Sequence, residues 1–229
     1  VIVGGGVAGL TVALNLTPRR VCVITKSSLG INTSSSWAQG GIAAAVSKDD
    51  SIESHINDTL TTAKGLANID AIKEVVNNAK GIIHDLEGYG VNFDKNEDGT
   101  FNLGLEGAHS YNRIIRSKGD SSGLEIMRGL IEKVKKSDHI TVLENVSIDR
   151  IMTEKNTIYG VIGRFTDDNV PDSNVIIQSS HVVLATGGLG GIFANTTNPR
   201  SSYGEGVALA SHAGACLLYT SPSPRDSRV

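Results

Sequence analysis

Continuous apolar runs and helical repeats alternate along this chain, and their order sets the first expectation about its fold. Val1-Ile2-Val3 is apolar, glycines crowd positions 4 to 9, residues 10–16 carry helical spacing, and residues 21–24 are apolar again. Strand, turn, helix and strand in that order predict a βαβ unit. Residues 27–41 are rich in Ser, Thr and Gly without a period and predict an extended loop. Ser51 is placed to cap a helix whose Ile52, Ile56, Leu60 and Ala63 recur at spacings of three and four. Asp70 is expected to open the next helix, with Ile72, Val75, Val76, Ala79, Ile82, Ile83 and Leu86 on one broad apolar face. A third helix is expected over 124–136, with Met127, Ile131 and Val134 inward, leading into a strand at 140–143. Strand signals then follow at 148–153, 158–165 and 175–178, with a turn at Lys155-Asn156, and predict a meander beside the main sheet. Residues 181–185 read as a buried strand and 206–213 as a helix. The sum is an α/β fold with a central parallel sheet and an added antiparallel β meander.

Composition narrows the function more than the fold. With 229 residues, 39% of them hydrophobic, the chain can bury a sizeable core, and one large domain over 1–215 is expected. The net charge of −3 comes from interspersed acids and bases, so no basic stripe marks a nucleic-acid partner. No apolar stretch approaches the roughly 20 residues that cross a bilayer, so no membrane association is expected. Two cysteines, Cys22 and Cys216, make no disulfide framework, which fits a reducing cytoplasm. Val1 lies inside a strand pattern, so a true N-terminus is expected upstream. From residue 216 the chain turns abruptly Ser- and Pro-rich, and this string resembles the translation of a sequencing-library adapter; residues 216–229 are therefore expected to be a non-native tail.

Gly4-Gly5-Gly6-Val7-Ala8-Gly9 satisfies G-x-G-x-x-G directly between an expected strand and an expected helix. That context points to a dinucleotide: Gly4 permits the tight turn, Gly6 lets backbone N–H groups reach a pyrophosphate, and Gly9 lets the helix lie close to the strand. A Rossmann unit that binds NAD usually ends its second strand in Asp or Glu for the ribose. Thr25-Lys26 stand there instead, which argues against generic NAD binding and leaves Lys26 either a cofactor contact or a solvated loop lysine. The loop Ser34-Ser35-Ser36-Trp37-Ala38-Gln39-Gly40-Gly41 offers hydroxyls, a carboxamide and two positions without side chains, a set suited to a pyrophosphate and a flat ring edge. Asp94, Asn96 and Asp98 begin like a calcium loop, but the twelfth position is Leu105, so a tight hairpin turn is the better reading.

The glycine run, Thr25-Lys26, and then Ala38-Gln39-Gly40-Gly41-Ile42-Ala43 resemble the flavoprotein family that contains L-aspartate oxidase and the flavoprotein subunits of succinate dehydrogenase and fumarate reductase. Val183-Leu184-Ala185-Thr186-Gly187-Gly188 and Gly204-Glu205-Gly206 are similar to that family's strand exit and its Gly-Asp-Gly segment near FAD. Glu205 departs from the family's Asp by one methylene. The resemblance spans nearly all of residues 1–215 and implies a Rossmann-like FAD-binding domain.

Within the family, the resemblance distinguishes members. The dehydrogenase and respiratory reductase subunits carry a histidine, covalently bonded to FAD, five positions before the Gln of the Gln-Gly-Gly loop. Ser34 occupies that position here and implies non-covalent FAD. Glu106-Gly107-Ala108-His109-Ser110 resembles the Glu-Gly-Gly-His-Ser region of L-aspartate oxidases, where the glutamate is thought to meet the substrate ammonium. Glu106 and His109 are thus candidate substrate contacts, with a solvated loop glutamate and a structural histidine as their plainer readings. The implied reaction is oxidation of L-aspartate to iminoaspartate for quinolinate and NAD synthesis, with oxygen or fumarate as electron acceptor. No catalytic base is assignable within 1–215, no metal site is expected, and the fragment is expected to be inactive alone. A non-covalent fumarate reductase-like enzyme and a non-catalytic flavin module stay open as alternatives.

Overall fold

The computed structural model describes residues 1–166 and 174–215. The expected tail over 216–229 and the polar connection around Pro171 fall outside the described residues. The described residues divide into two compact units, the first comprising 1–9, 16–29, 139–166 and 174–215, the second 10–15 and 30–138.

The first unit holds the parallel sheet. Its strands β1 (Ile2–Val3), β2 (Val21–Ile24), β6 (Ile140–Leu143) and β10 (Val183–Leu184) lie in the order β10-β1-β2-β6, every pair parallel. Ile2, Val3, Val21, Val23 and Ile24 are all buried, as near-continuous apolar strands of a parallel sheet should be. The helix α1 (Val7–Asn15) follows β1. The meander is β7 (Val146–Glu154), β8 (Thr157–Phe165) and β9 (Asn174–Gln178), antiparallel in that order. Lys155 and Asn156 both take positive φ at the first hairpin, the conformation a two-residue turn needs to match strand twist. The helix α5 (Glu205–His212) packs on β7, and Val3, Ile24, Val146, Ile151, Val161 and Leu209 close one core.

The second unit is mainly helical. Ser51 caps α2 (Ile52–Ala63), its hydroxyl accepting from the Ser54 amide. The cap of α3 (Ile69–Gly88) is Asn68 rather than Asp70: Asn68 Oδ1 accepts from the amides of Asp70 and Ala71, and Asp70 instead sits in the first turn, where its charge suits the helix dipole. Five of the seven expected apolar positions of α3 are buried, but Val75 and Ile82 are 68% and 48% exposed because a 3.6-residue repeat carries them to the flanks of the face. In α4 (Ser122–Lys135), Met127, Leu130 and Val134 are buried, so Leu130 takes the core position expected of Ile131. Three two-residue strands, β3 (Ile42–Ala43), β4 (Leu103–Gly104) and β5 (Ile114–Ile115), pair antiparallel in the order β3-β5-β4, and the sequence pattern did not foreshadow them. Residues 94–101 form the expected hairpin, with Asn96 and Thr100 joined through the backbone.

Glu125 of α4 is 2% exposed and accepts from Arg128, Lys118 and both the amide and side chain of Asn92. The Arg128 guanidinium foremost, then Lys118 and Asn92, holds this carboxyl far below the usual range. A depressed folded pKa means that the stabilisation is present above the ordinary value of 4.5 and is lost as pH falls below it. Glu125→Gln should cost about 2 to 3 kcal/mol at pH 7, with the gap to the parent protein narrowing on acidification; urea melts at neutral pH and below pH 4 measure both.

Candidate functional site

At the exit of β1, Gly4 takes φ 121° and its amide donates to Ile24 O at 2.9 Å. A Cβ on Gly4 would run into the Ala185 carbonyl oxygen, and one on Gly9 would run into the carbonyl of Gly4. The turn therefore tolerates glycine alone at Gly4, on grounds of dihedral and of space. Gly5 is buried against Thr25 and Leu29, whereas Val7 and Ala8, in the first turn of α1, are exposed. The first amides of a helix lack intrahelical acceptors and carry its positive end, so an anion has donors here.

The ends of neighbouring strands meet this turn within the first unit. The Thr25 amide donates to Leu143 O at 2.9 Å, its carbonyl accepts from Val146, and its hydroxyl donates to Ser27 O. Lys26 and Glu205, each about 40% exposed, form an ion pair at 2.5 Å, with the ammonium 5.8 Å from the Tyr203 ring centroid. Thus two residues expected separately as cofactor contacts face each other. Thr186 is held against α5, where a Cβ on Gly206 would strike its hydroxyl. Gly187 and Gly188 have open space where a Cβ would project, and Gly187 takes φ 77°.

In the second unit the Ser34–Gly41 stretch is a chain of turns: Trp37 donates to Ser34 O and Ala38 to Ser35 O. The Ser36 hydroxyl is engaged inside the loop, with Gly30 O at 2.8 Å and Thr33. Gly123, in the first turn of α4, donates to Ala38 O at 2.9 Å, and a Cβ there would strike the loop backbone. Gly123 was not expected as a site residue, although it closes the Asp120–Gly123 stretch that follows the Glu106–Ser110 resemblance. Trp37, Gln39 and Gly40 are exposed, and a Cβ on Gly40 would meet nothing within 4 Å.

Glu106 is exposed and pairs with Arg116 at 3.0 Å. His109 belongs to a buried network that sequence reasoning missed. Arg113, fully buried, binds Asp50 through Nε and Nη2, both at 2.9 Å, and Asp58 through Nη1 at 3.0 Å. Asp58 in turn accepts from the amide and hydroxyl of Ser110, contacts that, ahead of Arg113, hold its carboxyl below the usual range. His55 stands edge-on to His109 at 5.6 Å. Burial first, then the Arg113 cation, pushes His55 below the ordinary histidine value, and its Nδ1 is buried without a hydrogen-bond partner. The signal available was a charged residue beside the apolar pair Ile114-Ile115, with two aspartates eight residues apart.

The sequence profile of the FAD binding domain matches residues 1–222. The chain belongs to this FAD-binding family. An L-aspartate oxidase from Agrobacterium fabrum is 43% identical over 95% of this chain, and one from Bacillus subtilis is 38% identical over 94%. The chain spans 41% and 40% of those two proteins. Among solved structures, Sdh1 of Mycobacterium smegmatis superposes over 93% of this chain and 37% of its own, with TM-score 0.84 and 32% identity. Quinol fumarate reductase of E. coli covers 92% of this chain and 36% of its own, with TM-score 0.84 and 25% identity. These likenesses bear out the α/β reading, the FAD expectation and the family resemblance. The residues of the first unit fit a dinucleotide: α1 starts at the glycine turn with its positive end toward it, and the backbones at Gly187 and Gly188 are unobstructed.

Gly4→Ala should destabilise the protein by about 3 kcal/mol, combining a disfavoured backbone conformation with a backbone clash. Thermal or urea unfolding measures it, and a change below about 0.5 kcal/mol would mean that the turn is not held as described.

Proposed function

We propose that this chain is the FAD-binding part of an L-aspartate oxidase, which converts L-aspartate to iminoaspartate. The observation that carries this reading is the 43% identity to an L-aspartate oxidase across 95% of the chain, joined to an exposed glutamate at Glu106. A carboxylate suits a substrate that carries an ammonium group and has no counterpart in succinate. Arg116 holds Glu106 in place while leaving it solvent-accessible.

FAD, when bound, supplies the acceptor for hydride from the substrate Cα. The protein's part is to hold and orient. In this reading Gly4 to Gly9, Lys26, Ala185 to Gly187 and Glu205 contact the nucleotide, and Ser34 to Gly41 are further cofactor contacts. Glu106 and His109 contact substrate. Ser34 is expected to leave the flavin non-covalent. No residue within 1–215 is given the part of carboxylate clamp or catalytic base. The natural acceptor is oxygen or fumarate, and the enzyme works in the cytoplasm. No described helix is long and apolar enough to cross a membrane. A fumarate reductase-like activity is the second reading, favoured by the likeness to the E. coli enzyme.

Assay of the full-length protein with FAD separates the two. Turnover of L-aspartate with release of yellow flavin on denaturation is the expected result; turnover of succinate or fumarate alone removes the first reading, and flavin retained after denaturation removes the Ser34 argument. Gly40→Ala offers a second check. No strain or clash requires glycine there, so stability should change by less than about 0.5 kcal/mol. FAD affinity should fall about tenfold if the cofactor lies against that backbone, since tenfold needs only about 1.4 kcal/mol. A flavin fluorescence titration that shows unchanged affinity would take Gly40 out of the site.

A further inference from the structure

The Arg113 guanidinium has five N–H bonds and no acceptor. Nε and one Nη2 hydrogen go to the two oxygens of Asp50, and the second Nη2 hydrogen goes to Ser54 Oγ at 3.2 Å. Nη1 serves Asp58 Oδ2 at 3.0 Å and lies 3.4 Å from His109 Nδ1. Every polar hydrogen of this fully buried cation thus has one acceptor, and His109 Nδ1 is the fifth.

Arginine only donates, so Nδ1 of His109 must accept. A proton on Nδ1 would set N–H against N–H beside a buried cation. The imidazole proton therefore resides on Nε2. The ring has no other route to that choice among the described residues: its remaining neighbour, His55, meets it edge-on and without a hydrogen bond. Asp58 reinforces the arrangement, because the carboxylate that holds Nη1 also takes the amide and hydroxyl of Ser110, at 2.8 and 2.7 Å, and so pins the residue next to His109. The ring is half-buried, with its Nδ1 edge toward Arg113.

We infer that Arg113 is a positioning residue that locks His109 in its Nε2–H form, so that His109 presents a hydrogen-bond donor to an anionic oxygen of the substrate and does not act as a base. The substrate half of this inference rests on the proposed role of the 106–110 loop. The tautomer half does not. A donor at this position suits a dicarboxylate, whose second carboxylate needs neutral or positive partners, while Glu106 suits its ammonium group.

Two experiments decide it. Long-range proton–nitrogen correlation spectra of protein labelled with nitrogen-15 histidine should show His109 with a protonated Nε2 and a bare Nδ1; a protonated Nδ1 overturns the inference whatever the kinetics. In the full-length flavoenzyme, His109→Gln places an amide N–H near the Nε2 position and His109→Asn near Nδ1. The Asn variant should raise the KM for L-aspartate about tenfold more than the Gln variant, with flavin content equal in both. Equal KM values beside the expected spectrum would leave the tautomer standing and overturn the donor role. Glu106→Gln serves as the control for the underlying reading: should it leave the KM unchanged while the spectrum shows Nε2–H, the substrate assignment of the loop falls and the tautomer assignment stands.

Discussion

The approach of Gly4 to the Ala185 carbonyl sets what the first unit can be. Two parallel strands, β1 and β10, end side by side, and the chain leaving β1 must reverse into a helix within a few residues. Only a residue without a Cβ, able to adopt φ 121°, allows the turn to lie against the neighbouring strand exit. Its consequence is chemical. Several parallel strands end at one edge of the sheet, where α1 starts, and ligands of open α/β sheets gather at that edge. Thr25, Lys26, Thr186 and Glu205 are gathered by the same geometry, each at or just beyond the end of a strand or the start of a helix. The sequence likeness shows membership of the FAD-binding family, and this arrangement is the one that such a dinucleotide-binding domain requires.

The second unit is organised around charge rather than around a turn. The side chains of Arg113 and Asp50 are both fully buried, and a buried ion pair is tolerated only where its remaining polar atoms are satisfied. Here they are: Ser54, Asp58, Ser110 and His109 complete the network. The cost of burying the pair is offset by these hydrogen bonds, which also tie α2 to the loop that leads from β4 to β5. That loop carries Glu106 and His109, so the residues expected to meet substrate are fixed by groups that need never touch it.

Local patterns revealed what local physics determines. The βαβ unit, the Ser51 cap and the Lys155-Asn156 turn each rest on neighbours within a few residues, and each stands where expected. Asn68 and Asp70 are both good caps two positions apart, so the choice between them falls to tertiary packing. The same holds for Leu130 against Ile131, since a shift of helical phase by one residue changes which face meets the core. Strands of two residues, such as those of the β3-β5-β4 sheet, are too short to carry a period. Arg113 is separated from Asp50 by 63 positions and from Asp58 by 55, and no spacing rule connects them. The pairing of Lys26 with Glu205 was hidden for the same reason, though both residues could be marked separately from the motifs around them.

The central claim is that the glycine turn after β1 and the strand exit at Ala185 to Gly188 form one cradle for the dinucleotide. Amide hydrogen exchange with and without FAD tests it most directly. Protection should appear together at the amides of Gly5 to Gly9 and of Ala185 to Gly188. Protection confined to other segments, with both of these exchanging as freely as in the absence of FAD, would contradict the account.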